Sequence, residues 1–234
     1  MYFGHFAAAA AIKAKEPEVP AAPIMIGTGV LDIIYGVTVM TGANKVTPNP
    51  KASPNLFFEL TFIDWDHSLV MAIFWSLLWG LICWRFYQKN KKIGIVAAIA
   101  SFSHFLLDLP VHNADLALYP YSKIKLGFGL WEKLGIWAWV LEIVFMFVLL
   151  VYAWIRHKRR GENIWMQAAL VCLLAVQMSP WLSPMKTAAG FSGPMVQISH
   201  GFLTLIGYVI PGIILIWMYK RSSAKAEAKL SKQA

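Results

Sequence analysis

The sequence predicts an all-α protein: a polytopic transmembrane helix bundle of about six spans, preceded by a short half-spanning or interfacial helix. Three observations predict it. Of the 234 residues, 58% are hydrophobic and only 14% are charged, a balance far from that of a soluble domain. Apolar runs near the length of about 20 residues that a bilayer core requires recur along the chain. The basic residues behind a net charge of +9 sit in short clusters between those runs. In that position they set membrane topology, so the charge carries no implication of a nucleic-acid partner.

The elements follow in order. Residues 2–14 are Ala-rich and helix-prone but too short to cross alone, and Lys13, Lys15, Glu16, Pro17 and Pro20 then make a turn. Spans are expected at 23–41, 68–87, 93–109, 135–155, about 164–181 and 196–219, the last kinked by Pro211. The Pro- and Gly-rich stretches 42–62, 110–134 and 179–195 are expected as loops. Trp75, Trp79, Trp84, Trp137 and Trp139 are expected to face lipid or the headgroup belt. Cys83 and Cys172 lie in apolar runs without a CxxC, which indicates neither a disulfide framework nor a thiolate metal site. The N-terminus lacks the basic start and long apolar core of a signal peptide and is read as part of the mature protein. With no internal repeat, residues 1–220 are expected as one integral membrane domain, and 221–234 as a flexible basic cytoplasmic tail.

Of the 21 Lys and Arg, 15 fall on one side of an alternating six-span path: Lys13, Lys15, the 85–92 and 156–160 clusters and the tail. The positive-inside rule places that side, with the C-terminus, in the cytoplasm of a bacterial inner membrane. The N-terminal helix is then expected to dip into the membrane from Lys13 and Lys15, carrying His5 deep toward Asp32.

On this topology the ionisable residues converge at the extracytoplasmic end. Asp64, Asp66 and His67 enter the second span, and His104 and Asp108 close the third, with His112 just after Pro110. Glu142 and His200 approach the same depth and are expected with equal weight as site or structural residues. Ionisable side chains within spans are costly and mark function by default. His104 and Asp108, at i and i+4, share a helix face. Imidazole and carboxylate without thiolate suit zinc, with manganese or iron as alternatives. The expected metal ligands from this spacing are His67, His104, Asp108 and His112, with Asp66 or Asp64 as general base; Asp32, near the middle of the first span, and His5 stand apart from the cluster. Such an ion lowers the pKa of a bound water toward ~7, which suits attack on a phosphoryl or acyl centre.

The same residues resemble a family of inner-membrane-associated metal-dependent hydrolases, distantly similar to zinc-dependent phospholipase C and nuclease proteins. Its pattern is met by Gly4-His5-Phe6-Ala7-Ala8, by Val30-Leu31-Asp32 (which lacks the family's proline), by Asp66-His67-Ser68-Leu69 and by Ser103-His104-Phe105-Leu106-Leu107-Asp108. The order His, Asp, further His after a proline turn is echoed by His104, Asp108 and His112. The resemblance covers residues 1 to about 120 and implies hydrolysis of a phosphoester, with His5 and Asp32 joining His67, His104, Asp108 and His112 as expected metal ligands.

The expected function is therefore a membrane-embedded, metal-dependent hydrolase of a phosphoester or lipid-linked ester, working among membrane lipids at the extracytoplasmic face. The alternatives are a cofactor-binding or non-catalytic subunit that joins partner membrane subunits, and a small permease. A permease needs polar groups through the full depth, and the inner half of the spans is nearly bare. A substrate-sized cavity beside the His and Asp cluster would separate the enzyme from the subunit.

Overall fold

A computed structural model describes residues 1–52, 54 and 56–231. Lys232, expected in the tail, lies outside the described residues. The chain forms α1 (Tyr2–Lys15), α2 (Ala21–Gly27), α3 (Val30–Met40), strands β1 (Lys45–Pro48) and β2 (Phe58–Phe62), the single turn α4 (Asp64–His67), α5 (Leu69–Phe86) and α6 (Lys91–Val111). It continues with α7 (Leu130–Leu134), α8 (Ile136–Lys158), α9 (Trp165–Gln177), α10 (Met185–Ala188) and α11 (Pro194–Leu230).

The helix bundle stands as expected. α5, α6, α8 and α11 are each long and apolar enough to cross a membrane. Two of the six expected segments depart from a straight full-length span. The run at 23–41 is broken between α2 and α3, which bend by 47°. α9 has 13 residues, a rise of about 20 Å against a core of about 30 Å. α11 runs on through Pro211 to Leu230, so the expected tail begins as the last turns of this helix. Leu77, Ile99 and Val148 lie exposed on the outer faces of α5, α6 and α8, as lipid-facing side chains do.

Small residues decide how the helices pack. α5 buries Ala72, Ser76, Gly80 and Cys83, one stripe at helical spacing. Ser76 Oγ donates to Ser101 Oγ at 3.0 Å. A Cβ on Gly80 would stand 2.8 Å from the Gly94 carbonyl oxygen, and one on Gly94 3.0 Å from that of Gly80. Gly36 of α3 and Gly201 of α11 meet in the same way, at 2.7 and 2.4 Å. Where lipid tails are as apolar as the side chains, such close backbone approach holds helices together.

Trp137 is 68% exposed, as a belt residue would be. Trp79 corrects the expectation of a lipid-facing stripe: it packs on the core and its Nε1 donates to the Pro23 carbonyl at 2.9 Å. Trp75 Nε1 likewise donates to the Trp65 carbonyl at 2.8 Å, and Trp139 packs against the core. An indole N–H near apolar surroundings finds an acceptor where one is within reach.

The expected loop 42–62 contains an antiparallel pair, β1 with β2, registered Lys45 to Phe62 and Pro48 to Phe58. Alternation in Phe58-Glu59-Leu60-Thr61-Phe62 is its sequence signal. Gln197 fastens the pair to α11: its Nε2 donates to Val46 O at 2.6 Å and its Oε1 accepts from Val46 N at 3.3 Å. At the opposite end the expected turn after α1 forms. Lys13 Nζ donates to the carbonyls of Pro17 and Val19 at 2.7 and 2.8 Å. Arg160 donates to Ala14 O at 3.0 Å, a cation at the negative end of the helix dipole.

Candidate functional site

Four elements bring the site together. α1 contributes His5, α3 Asp32, α4 His67, and α6 His104 and Asp108, with His112 at its C-cap. Ser68 has an extended backbone, which ends α4 after one turn and lets α5 start in a new direction. The loop carbonyls of Ala117 and Leu118 accept from Leu69 N and Val70 N, meeting the first free N–H groups of α5.

The ligand-bearing atoms converge closely. His67 Nε2 and His104 Nε2 are 3.3 Å apart. Asp32 Oδ1 is 3.4 Å from His67 Nε2, and its Oδ2 is 3.5 Å from His104 Nε2. Asp108 Oδ2 is 3.0 Å from His104 Nε2, 3.8 Å from His67 Nε2 and 3.7 Å from His112 Nε2. His5 stacks on His104 with ring centroids 3.7 Å apart, and its Nε2 is 3.2 Å from Asp108 Oδ1. The Met1 amino group also reaches Asp108 Oδ1, at 2.6 Å. Two overlapping triads have metal-ligand spacing: Asp32, His67 and His104, and His5, His104 and Asp108.

The rings are held from behind. His104 Nδ1 donates to the Thr28 carbonyl at 2.7 Å, His67 Nδ1 to Asp66 Oδ1 at 2.7 Å, and His112 Nδ1 to Asp115 Oδ1 at 3.1 Å. Those acceptors fix the tautomers and leave each Nε2 as a lone pair aimed inward. Lone pairs of His67 and His104 at 3.3 Å, beside two carboxylates, repel one another unless a cation lies between them. Burial by itself would lower the pKa of His67, yet its hydrogen bonds to Asp32 and Asp66 hold it up to about 10. A proton taken up on that Nε2 answers the same demand for positive charge, and an ion bound there would replace it. Both ring nitrogens of buried His5 lack a hydrogen-bond partner among the described residues. Tetrahedral zinc with bonds near 2.0 Å sets its ligands about 3.3 Å apart, and the observed separations bracket that figure. The donor set thus fits a small divalent ion. His104 has one free nitrogen, so a single ion can use it.

The two expected general bases are placed otherwise. Asp66 is spent on orientation: Oδ1 accepts from His67, and Oδ2 from Thr38 Oγ1 at 2.8 Å and Asn44 Nδ2 at 2.6 Å. Burial pushes its carboxyl above the ordinary range. Asp64 turns away from the cluster, accepting from Tyr121 N at 2.8 Å and facing Lys125 Nζ at 3.5 Å. Successive residues on one helical turn point about 100° apart, so Asp64, Asp66 and His67 cannot all serve one point. Glu142 accepts from Trp131 Nε1 at 2.8 Å, and the Trp131 ring lies 4.3 Å from that of His112. His200 Nε2 bonds to the Tyr35 hydroxyl at 2.9 Å. Thr28, Thr38, Asn44, Tyr35 and Asp115 are hydrogen-bonding neighbours of these residues that sequence reasoning passed over. Only Asp115, three residues after His112, carries a spacing signal.

A cavity of about 350 Å³ opens beside the cluster. Asp32, His67, Asp108 and His112 line its polar floor, and Leu60, Ile63, Leu203 and Ile206 are among its apolar walls. Its size lies within the range of small-molecule sites.

The family model described as YdjM inner membrane protein matches residues 64–184. That region holds His67, His104, Asp108 and His112 but not His5 or Asp32. No curated protein and no solved structure matches the chain. With just over half its length matched and its long apolar helices in place, this chain is an integral membrane protein that belongs to the YdjM inner membrane protein family.

Proposed function

We propose that the protein is a membrane-embedded, metal-dependent hydrolase of a phosphoester or lipid-linked ester, working at the extracytoplasmic face. One observation carries the reading. Three imidazoles, each fixed at Nδ1 by its own acceptor, turn Nε2 toward the half-buried Asp32 and the buried Asp108, beside a substrate-sized cavity. Such outer-shell acceptors accompany metal-ligating histidines.

Asp32, His67 and His104 would hold the ion, zinc by the chemistry of the set. When bound, it supplies Lewis acidity and an acidified water. Asp108 is then the carboxylate suited to accept a proton from water in the cavity, since Asp66 and Asp64 have other partners. His112, braced by Asp115, borders the same cavity with its Nε2 3.7 Å from Asp108 Oδ2; that nitrogen is suited to take up the proton Asp108 has accepted and pass it to the leaving oxygen. Hydrolysis balances on those two groups: one proton leaves the water, and one reaches the departing alkoxide.

The test pairs metal content with turnover in detergent-purified protein. About one zinc, manganese or iron per chain is expected in the wild type. The ion should be lost in His67→Ala and His104→Ala, together with cleavage of a phosphoester panel. A wild type that holds no metal when purified without chelator, and cleaves nothing, refutes the proposal and leaves the subunit reading.

A further inference from the structure

The cavity does not end in protein on all sides. Its floor is polar, but its walls climb along α11 through Leu203, Ile206 and Ile210 to the seam with α9, where Gln177 and Met178 stand. Ile210 lines the cavity and is 52% exposed, and Gln177 is also exposed. The neighbouring α11 residues Phe202 and Ile213 are exposed on the same long apolar helix, so this opening lies among side chains that face lipid. A water-borne substrate has no use for such a shaft. A hydrocarbon chain does: each methylene kept on an apolar wall avoids about 0.8 kcal/mol of exposure to water.

We infer that the site takes its substrate sideways from the bilayer, through the α9–α11 seam, and that the substrate is an acyl-chain lipid whose polar head reaches the histidine and aspartate floor. The 350 Å³ cavity holds a headgroup and the start of a chain, and the rest of the chain stays in the membrane through the opening. The inference rests on the hydrolase reading for what happens at the floor; the portal itself is a matter of binding. Ile206 and Ile210 are one turn apart and act as its sill. Gly207, between them, receives a hydrogen bond from the Tyr2 hydroxyl to its carbonyl at 2.6 Å, which ties this part of α11 to α1.

The experiment reads binding directly. Full-length protein is reconstituted in phosphatidylglycerol and phosphatidylethanolamine vesicles containing a trace phospholipid with a photoreactive group in its acyl chain. After irradiation, crosslinked peptides are mapped. Adducts are expected at 177–185 and 203–211. In the variants Ile206→Trp and Ile210→Trp they should fall about tenfold, the effect of about 1.4 kcal/mol of overpacking. Val148→Trp, at an exposed α8 position that does not line the cavity, controls for folding and should leave them unchanged. His104→Ala should keep the adducts while losing metal, so failure of the hydrolase reading is told apart from failure of the portal. Adducts confined to the outer helix faces, or equal in wild type and both isoleucine variants, would overturn the inference. So would undiminished cleavage of a long-chain lipid by the doubly blocked protein.

Discussion

Asp66→Asn changes one atom and tests the arrangement behind His67. In the wild type the Asp66 carboxylate accepts three hydrogen bonds, from His67 Nδ1, Thr38 Oγ1 and Asn44 Nδ2. An asparagine brings an NH2 group to one of its two positions. Facing Thr38 and Asn44, it meets two donors, and both lose the charged acceptor, keeping only the Tyr35 carbonyl for Thr38 and Thr38 Oγ1 for Asn44. Facing His67, it forces the imidazole to move its proton to Nε2, the atom 3.3 Å from His104 Nε2. Either orientation removes at least one charge-assisted hydrogen bond, about 1.5–3 kcal/mol. The orienting partner of a metal-bound histidine contributes about 10–100-fold in affinity, or about 1.4–2.7 kcal/mol. Zinc affinity, measured by competition with a chromophoric chelator, should therefore weaken by one to two orders of magnitude, with a lower Tm in the metal-free protein. Unchanged affinity together with unchanged Tm would refute the claim that Asp66 sets the His67 tautomer.

Gly36→Ala should destabilise the α3–α11 crossing by about 1–3 kcal/mol, because its new Cβ meets the Gly201 carbonyl at 2.7 Å; unfolding in graded denaturing detergent reads this. Trp131→Phe leaves the buried Glu142 carboxyl without its indole donor, at a cost of about 1–3 kcal/mol, and should also reduce turnover through the displaced His112 ring; equal Tm and activity would count against both contacts. The hydrogen bond from His157, aided by Arg160, draws the Glu162 pKa down to about 2. Its contribution, up to about 2 kcal/mol after allowance for solvent screening, is complete above its ordinary value near 4.5 and is lost as pH falls toward 2. The stability gap between wild type and Glu162→Gln should thus be wide at pH 7 and close across that acid window.

The helix bundle was legible because hydropathy and length suffice to find apolar helices. The direction of a helix leaves no such trace: Gly27 and Gly29 mark where the run can break, but nothing in it gives the 47° of the bend. His104 and Asp108 were legible as a pair because i, i+4 spacing fixes a shared face whatever surrounds it. Asp64 and Asp66 were not separable, since which acid on one short turn faces the cluster depends on how Ser68 aims the next helix. Asn44 and the Thr28 carbonyl had no signal at all. One lies in a loop, and the other is a backbone group present at every residue.

That carbonyl has an evolutionary and practical consequence. The break between α2 and α3 frees the Thr28 oxygen for His104, so a ring at the centre of the site is steered by the main chain. Thr28→Ala removes the buried hydroxyl and its bond to the Met25 carbonyl but leaves the main-chain oxygen in the chain. An alanine scan would thus report on the side chain of this position and not on the carbonyl that holds the proton of His104. Disturbing it takes a change of chain path, for example an inserted residue in the hinge that lets the helix run straight and reclaim its acceptor.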